Sequence, residues 1–149
     1  LVLVPVGGGG LIAGVGLAVK ALKPGVAVVG IQSEASPFLH AEFHGRDMAT
    51  VVELPSLADG LAGSVESGSI TVPLLHQVAD DVLLISEADI AQAIAYAYRM
   101  HGEIVEGSGA VGLAAVLSGK LDCADQTVAM VISGGNIDPE RLEQVLATA

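Results

Sequence analysis

Four consecutive glycines, Gly7 to Gly10, follow the apolar run Leu1-Val2-Leu3-Val4-Pro5-Val6 and precede a stretch patterned for a helix. Glycine lets a backbone turn tightly, and the first amides of a helix have no partner inside it. A strand–glycine–helix turn therefore offers several N–H donors to an anion, phosphate above all. Close packing of helix on strand also calls for glycine, but four in a row exceed that need. The spacing Gly8-x-Gly10-x-x-Ala13 meets the loose dinucleotide pattern, which also asks for an acid at the end of the second strand. Gln32 occupies that place, with Glu34 just beyond. A P-loop is excluded, because no Gly-Lys-Ser/Thr follows the glycines. Two more glycine-flanked segments carry polar groups. Ser133-Gly134-Gly135-Asn136-Ile137-Asp138 offers a neutral hydroxyl, and Glu106-Gly107-Ser108-Gly109-Ala110 offers a carboxylate. Each has a plain structural use, Ser133 in a turn and Glu106 as a solvated charge. Beside a phosphate turn they become ligand-binding candidates.

Positioning these groups requires strands that end near one another. Short continuous apolar runs alternate with amphipathic stretches, the pattern of parallel strands buried on both faces. Strands are expected over 1–6, 26–32, 82–85 and 127–132. Helices are expected over 10–22, 35–45, 70–78, 87–101 and 109–118, with a last one from Asp138-Pro139-Glu140 to 147. Lys23-Pro24-Gly25 stops the first helix, Ser36-Pro37 opens the second, and Ser86 caps the fourth with Glu87 and Asp89 in its first turn. Residues 46–69 read as loop with a short helix. The alternation predicts an α/β fold, a three-layer parallel sheet with helices on both faces, in one domain over residues 1–149. The absence of Met at the start, inside an apolar run, points to part of a longer polypeptide.

Composition narrows the function. Hydrophobic residues make up 52% and charged ones 15% of 149 residues, which excludes disorder. The net charge of −11 repels phosphodiester backbones, so no nucleic-acid partner is expected. Pro5 and the glycine run break the uncharged stretch 1–19, so no membrane span is expected either, and the expected location is the cytoplasm. Cys123 is the single cysteine, so a disulfide framework is ruled out.

Taken in order and spacing, VPVGGGGLIAG, SLADGLAG, VEGSGAVGLAAVLSGKLD and VISGGNID resemble the threonine/serine dehydratase family. These are fold type II pyridoxal-phosphate enzymes, a group that also includes serine racemase. The resemblance runs along essentially the whole chain and implies a larger domain of the tryptophan-synthase-β-like type, incomplete here. It implies that Gly7, Gly8, Gly9, Gly10 and the amide of Leu11 hold the phosphate of pyridoxal 5'-phosphate. Ser133 would bond the pyridine nitrogen, Glu106 would lie near the ring, and Gly60 would stand close to the site. A serine cannot keep that nitrogen protonated as an aspartate would, which favours elimination of a β-hydroxyl over transamination. The implied reaction takes threonine or serine to a 2-oxo acid and ammonia. The rival readings are serine racemisation, a non-catalytic dinucleotide- or phosphate-binding module, and a truncated chain without a ligand.

The family's Schiff-base lysine and the loop that grips the substrate carboxylate belong to an N-terminal region missing here, so no catalytic residue is assigned and the chain alone is expected to be inactive. Lys20, Lys23 and Lys120 read as solvated surface charges, Lys120 beside Asp122. Partners expected are a small amino acid, the missing N-terminal portion, and further copies of the chain through exposed apolar surface. No metal is expected: Gln32 and Phe38 stand where some relatives have acids. His40 and His44 share a helix face without a third ligand, His76 and His101 are isolated, and Asp80-Asp81 reads as a solvated turn.

Overall fold

The computed structural model describes all 149 residues. It contains β1 (Val2–Pro5), α1 (Gly10–Leu22), β2 (Val28–Ser33), α2 (Phe38–Phe43), α3 (Thr71–Val78), β3 (Asp81–Ile85), α4 (Glu87–Tyr96), α5 (Gly107–Leu117), β4 (Ala129–Met130) and α6 (Pro139–Thr148). Single 3-10 turns lie at Met48–Thr50 and Asp59–Leu61, and α4 runs on into a π turn over Ala97–His101. No helix is long and apolar enough to cross a membrane.

The four strands are all parallel, in the order β3-β2-β1-β4. That order follows from the handedness of crossovers. From β1 through β2 to β3 the chain steps one way across the sheet, which places the crossover helices on one face. The step from β3 to β4 runs back past both earlier strands, so its helices fall on the opposite face. Two apolar cores result. Val4, Val6, Val28 and Val82 meet Ile12 of α1, Leu39 of α2 and Leu75 of α3. Leu3, Val29, Ile31 and Ile85, the alternate strand positions, meet Ile90 and Ile94 of α4, Val111 and Ala115 of α5, and Val145 of α6. Every residue of β2 is buried, as a central strand covered on both faces must be. At Gly30 a Cβ would stand 2.7 Å from Val6 Cγ2 and 3.0 Å from Ile12 Cδ1, so the missing side chain lets α1 settle on the sheet.

The expected three-layer α/β architecture is present, with differences at the ends of elements. The last strand is shorter than 127–132: only Ala129–Met130 are ladder residues, although Val131 N–H still donates to the Leu3 carbonyl at 3.0 Å. The second helix spans Phe38–Phe43 rather than 35–45, because Ser36 turns its hydroxyl to Glu53 instead of capping. The fifth begins at Gly107, two residues early, with Glu106 as N-cap. Ser86 and Asp138 do cap their helices, accepting from Asp89 N–H and from the Glu140 and Arg141 N–H groups.

Charges assigned to solvent have specific partners. Lys20 donates to Asp80 (2.6 Å) and to the Val26 carbonyl (3.0 Å). Lys120 reaches Glu34 and the Leu84 carbonyl, both at 2.9 Å, rather than standing by Asp122. His76 donates to Glu42 at 2.9 Å. Asp80 is exposed in the turn before β3, as expected, but it also accepts from Val28 N–H at 2.7 Å and so ties the start of β2 to that turn. Burial pushes its carboxyl up, but the bonds from Lys20 and Val28 and the lysine charge outweigh that and hold it below its ordinary value. A group depressed in the folded state stabilises above its unfolded pKa, about 3.9, and loses that contribution as acid titrates the folded carboxyl. Asp80→Asn is therefore expected to lower the melting temperature at neutral pH, with the difference from the unaltered chain narrowing as the pH falls below the ordinary carboxylate value of about 3.9. Thermal melts across that range check it.

Candidate functional site

Where strand order reverses, the loops leaving two adjacent parallel strands part to opposite faces and leave a crevice at their carboxyl ends. In this sheet the reversal lies between β1 and β4. The glycine turn leaves β1 there, and Ser133 follows β4. A cavity of about 310 Å³ opens at that place, the lower end of the usual size for a small-molecule site. Its floor is Pro5, Gly7, Gly8, Gly9, Gly10 and Leu11, and its sides carry Gly60, Leu61, Glu106, Ser108 and Ser133. All eight residues singled out in the sequence thus line one cavity.

The floor is built to present amides. Gly9 has φ +85°, a left-handed conformation that glycine adopts without strain, and it turns the chain from β1 into α1. The first α1 carbonyl bonds begin with Ala13 N–H to Gly9, so the amides from Gly8 to Ile12 have no partner within the chain. At Gly8 and Gly10 a Cβ would meet nothing within 4 Å, whereas at Gly7 it would come 3.1 Å from Leu61 Cα. A second helix start faces the same cavity: in α5 the carbonyl of Glu106 is taken by the Gly109 and Ala110 N–H groups, and Ser108 lines the wall. Two helix dipoles therefore converge with their positive ends on the cavity. No Lys, Arg or His lines it, so an anion would be held there by neutral donors.

The walls explain the remaining glycines. Glu106 binds the loop after β4: its N–H donates to the Gly134 carbonyl (3.2 Å) and its Oε2 accepts from Asn136 N–H (3.1 Å). The carboxylate lies against Gly134, where any Cβ would overlap it. Glu106 is therefore an ordered cavity group, half-buried, and not a freely solvated charge. A Cβ at Gly107 would overlap the Leu57 carbonyl, and one at Gly60 would stand 2.8 Å from Ser108 Oγ. Those glycines let the segment before Leu61 lie on the start of α5. Ser108 is a cavity residue that sequence reasoning does not single out. Its Oγ is buried without a hydrogen-bond partner, and serine in the first turn of a helix is too common to mark a site from sequence.

The dinucleotide alternative loses its ribose partner. The Gln32 side chain is buried and accepts from His40 N–H at 2.9 Å, and Glu34 is engaged by Lys120. The histidine pair is likewise committed. His40 Nδ1 accepts from Arg46 (2.8 Å), and His44 Nε2 donates to the Val82 carbonyl (3.1 Å). Burial, the neighbouring His44 and the Arg46 charge hold His40 down at about 4, with Asp81 opposing them weakly.

A glycine cradle under two helix starts, at the switch point of a parallel sheet and beside a serine hydroxyl, is the arrangement suited to a phosphorylated small molecule. The family of pyridoxal-phosphate dependent enzymes matches residues 1–134, and the chain belongs to it. It is 42% identical over 146 residues to the L-threonine ammonia-lyase of Thermotoga maritima, covering 98% of this chain and 36% of that protein. It is 39% identical to the catabolic L-threonine dehydratase of Escherichia coli K12, covering 97% of this chain and 44% of that one. Among solved structures, the T.th. threonine deaminase superposes with a TM-score of 0.80 at 39% identity, over 92% of this chain and 44% of that one. Maize serine racemase gives 0.81 at 31%, over 98% and 46%. The chain spans less than half the length of these relatives.

The residues present fit the family's cofactor. A phosphate matches the free amides of the floor, and the open space at Gly8 and Gly10 leaves room for it. Because Gly9 carries the turn, Gly9→Ala is expected to cost about 1–3 kcal/mol from its left-handed backbone and its contacts with Leu39 and Thr71. Gly8→Ala, which meets nothing, is expected to cost under about 1 kcal/mol. Urea denaturation of the two variants makes the comparison.

Proposed function

We propose that residues 1–149 form one α/β portion of the catalytic domain of a cytoplasmic ammonia-lyase that dehydrates threonine or serine. The products would be 2-oxobutanoate or pyruvate, with ammonia. The observation that carries this reading is the meeting, in one cavity, of the glycine cradle after β1 and the serine after β4. The likeness to threonine ammonia-lyases and dehydratases supports the substrate class.

In this reading the amides of Gly7 to Leu11 hold the phosphate of pyridoxal 5'-phosphate. Ser133 bonds the pyridine nitrogen, Glu106 stands beside the ring, and Gly60 allows close approach on that side. When bound, the cofactor supplies an electron sink for negative charge developing at the α-carbon of the amino acid. The chain's own residues set how strong that sink is. A neutral hydroxyl at Ser133 does not hold a proton on the nitrogen, which limits the sink and favours loss of a β-hydroxyl. Glu106 is kept in place by Asn136 N–H and by its position as N-cap of α5.

The lysines of the chain serve elsewhere. None lines the cavity, and Lys20 and Lys120 hold Asp80 and Glu34. We assign the cofactor-bearing lysine and the grip on the substrate carboxylate to polypeptide outside residues 1–149. A larger cavity of about 640 Å³ beside β4, lined in part by Ile104, Leu113, Met130 and Ile132, supports the packing of further chain there, the same enzyme's remaining portion first and a second copy after it. Ile104 is 53% and Ile132 47% exposed. A serine racemase is the second reading, favoured by the superposition on the maize enzyme.

Titration of the 149-residue chain with pyridoxal 5'-phosphate is expected to show saturable binding, with none for NAD. Mixed with cofactor and threonine, the chain alone is expected to release no 2-oxobutanoate beyond the cofactor-only control. Tight NAD binding without pyridoxal-phosphate binding would refute the assignment, and turnover by the chain alone would refute the missing lysine. In the complete enzyme, 2-oxo acid against D-serine as the main product separates lyase from racemase.

A further inference from the structure

The two sides of the cavity come from distant parts of the chain, and one side chain joins them. Arg141 lies in the first turn of α6, a short way beyond Ser133. Its guanidinium reaches the opposite wall, where Nη1 donates to Asp59 Oδ2 at 2.7 Å and Nη2 to the Ser56 carbonyl at 2.7 Å. Both acceptors belong to the segment 56–61, which presents Gly60 and Leu61 to the cavity. Behind, Glu87 fastens the same segment to the sheet. Its carboxylate accepts from the Ser33 hydroxyl (2.6 Å), the Ser56 hydroxyl (2.7 Å) and Leu57 N–H (2.5 Å). Glu87 thus fixes this wall to β2 and α4, while Arg141 fixes it to the wall that carries Ser133.

We propose that Arg141 is a positioning residue: it sets the separation between the Ser133 and Gly60 walls, and with it the fit of a ring lying between them. The ring's identity rests on the function proposed above, whereas the clamp rests on the contacts just described. The Asp59 contact alone contributes little, since that carboxylate is 69% exposed and the pair is screened by water. The half-buried bond to the Ser56 carbonyl, made by the second arm of the same rigid fork, carries most of the effect. A lysine keeps the charge but lacks the rigid two-armed fork, so it holds the two acceptors less firmly.

Hydrogen exchange on the ligand-free chain reads the clamp directly. In Arg141→Ala the amides of Ala58 and Leu61 are expected to exchange about tenfold faster, Arg141→Lys being intermediate and Asp59→Asn nearly unchanged. Arg99→Ala, which removes the guanidinium that donates to the Leu146 and Ala149 carbonyls at the far end of α6, serves as the control and leaves those amides alone. Calorimetric titration then uses two probes. Inorganic phosphate touches only the floor, so its affinity is expected to hold within about twofold, while pyridoxal 5'-phosphate binds about tenfold more weakly to Arg141→Ala. A parallel fall for both probes, unchanged exchange at Ala58 and Leu61, or the same exchange effect from Arg99→Ala would overturn the proposal. If the unaltered chain binds no pyridoxal 5'-phosphate, the functional reading fails, and the exchange data alone decide the clamp. Should Arg141→Ala not fold, Arg141→Lys supplies the same comparison at smaller amplitude.

Discussion

Reversal of the strand order between β1 and β4 is the constraint on which the rest of this molecule depends. A sheet that grew in one direction would have all its crossover helices on one face and no crevice at its carboxyl edge. By returning past β2 and β1 to place β4 on the far side, the chain gains a second covering layer. It also brings two loops to one spot from opposite faces. The glycine turn and the loop around Ser133 are far apart in sequence and adjacent only because of that return. Two helix starts, those of α1 and α5, then point at the same place, and the polarity of the cavity follows from their unpaired amides.

That origin of the polarity suits an acidic chain. With seventeen acids against six bases, the protein has few cations to give to an anion site, and none lines the cavity. Backbone amides are donors that cannot be titrated and that cost no side-chain ordering when a ligand arrives. The requirement is a backbone free to approach, hence glycine wherever a Cβ would fill the floor or overlap a wall. The acids are put to a complementary use. Asp80, Glu53, Glu87 and Glu106 each accept backbone N–H groups, holding loops in place where an exposed ion pair would contribute little.

Much of this was legible in the residues. Continuous apolar runs between helical stretches mark buried parallel strands, and the four strands lie close to where those runs stand. The glycine run and the glycine-flanked Ser133 and Glu106 could be picked out because glycine in excess of turn requirements is an unusual signal, whereas Leu11 and Gly60 come only from the resemblance of the ordered motifs to a known family. What stayed hidden is partnership across the fold. Nothing in the spacing joins Lys20 to Asp80, Lys120 to Glu34, or Arg141 to Ser56, because those contacts depend on how loops cross one another above the sheet. The shortness of β4 has a related cause. Residues 127–132 have the composition of a strand, but an edge strand beside β1 alone is held only as far as its neighbour's hydrogen bonds extend.

The same edge gives a physical reason for regarding the site as one side of a larger one. β4 pairs on one side only, and Ile132, just beyond it toward Ser133, is an exposed apolar residue. An unpaired edge with an apolar groove beside it is costly to leave in water and is ordinarily covered. Ser133 lines both the polar cavity and that groove, so whatever packs on the edge would stand within reach of the ligand. A cavity whose neutral donors suit a phosphate but whose own residues offer no lysine is, for the function proposed above, chemically half a site. The exposed edge is where the other half has room to sit.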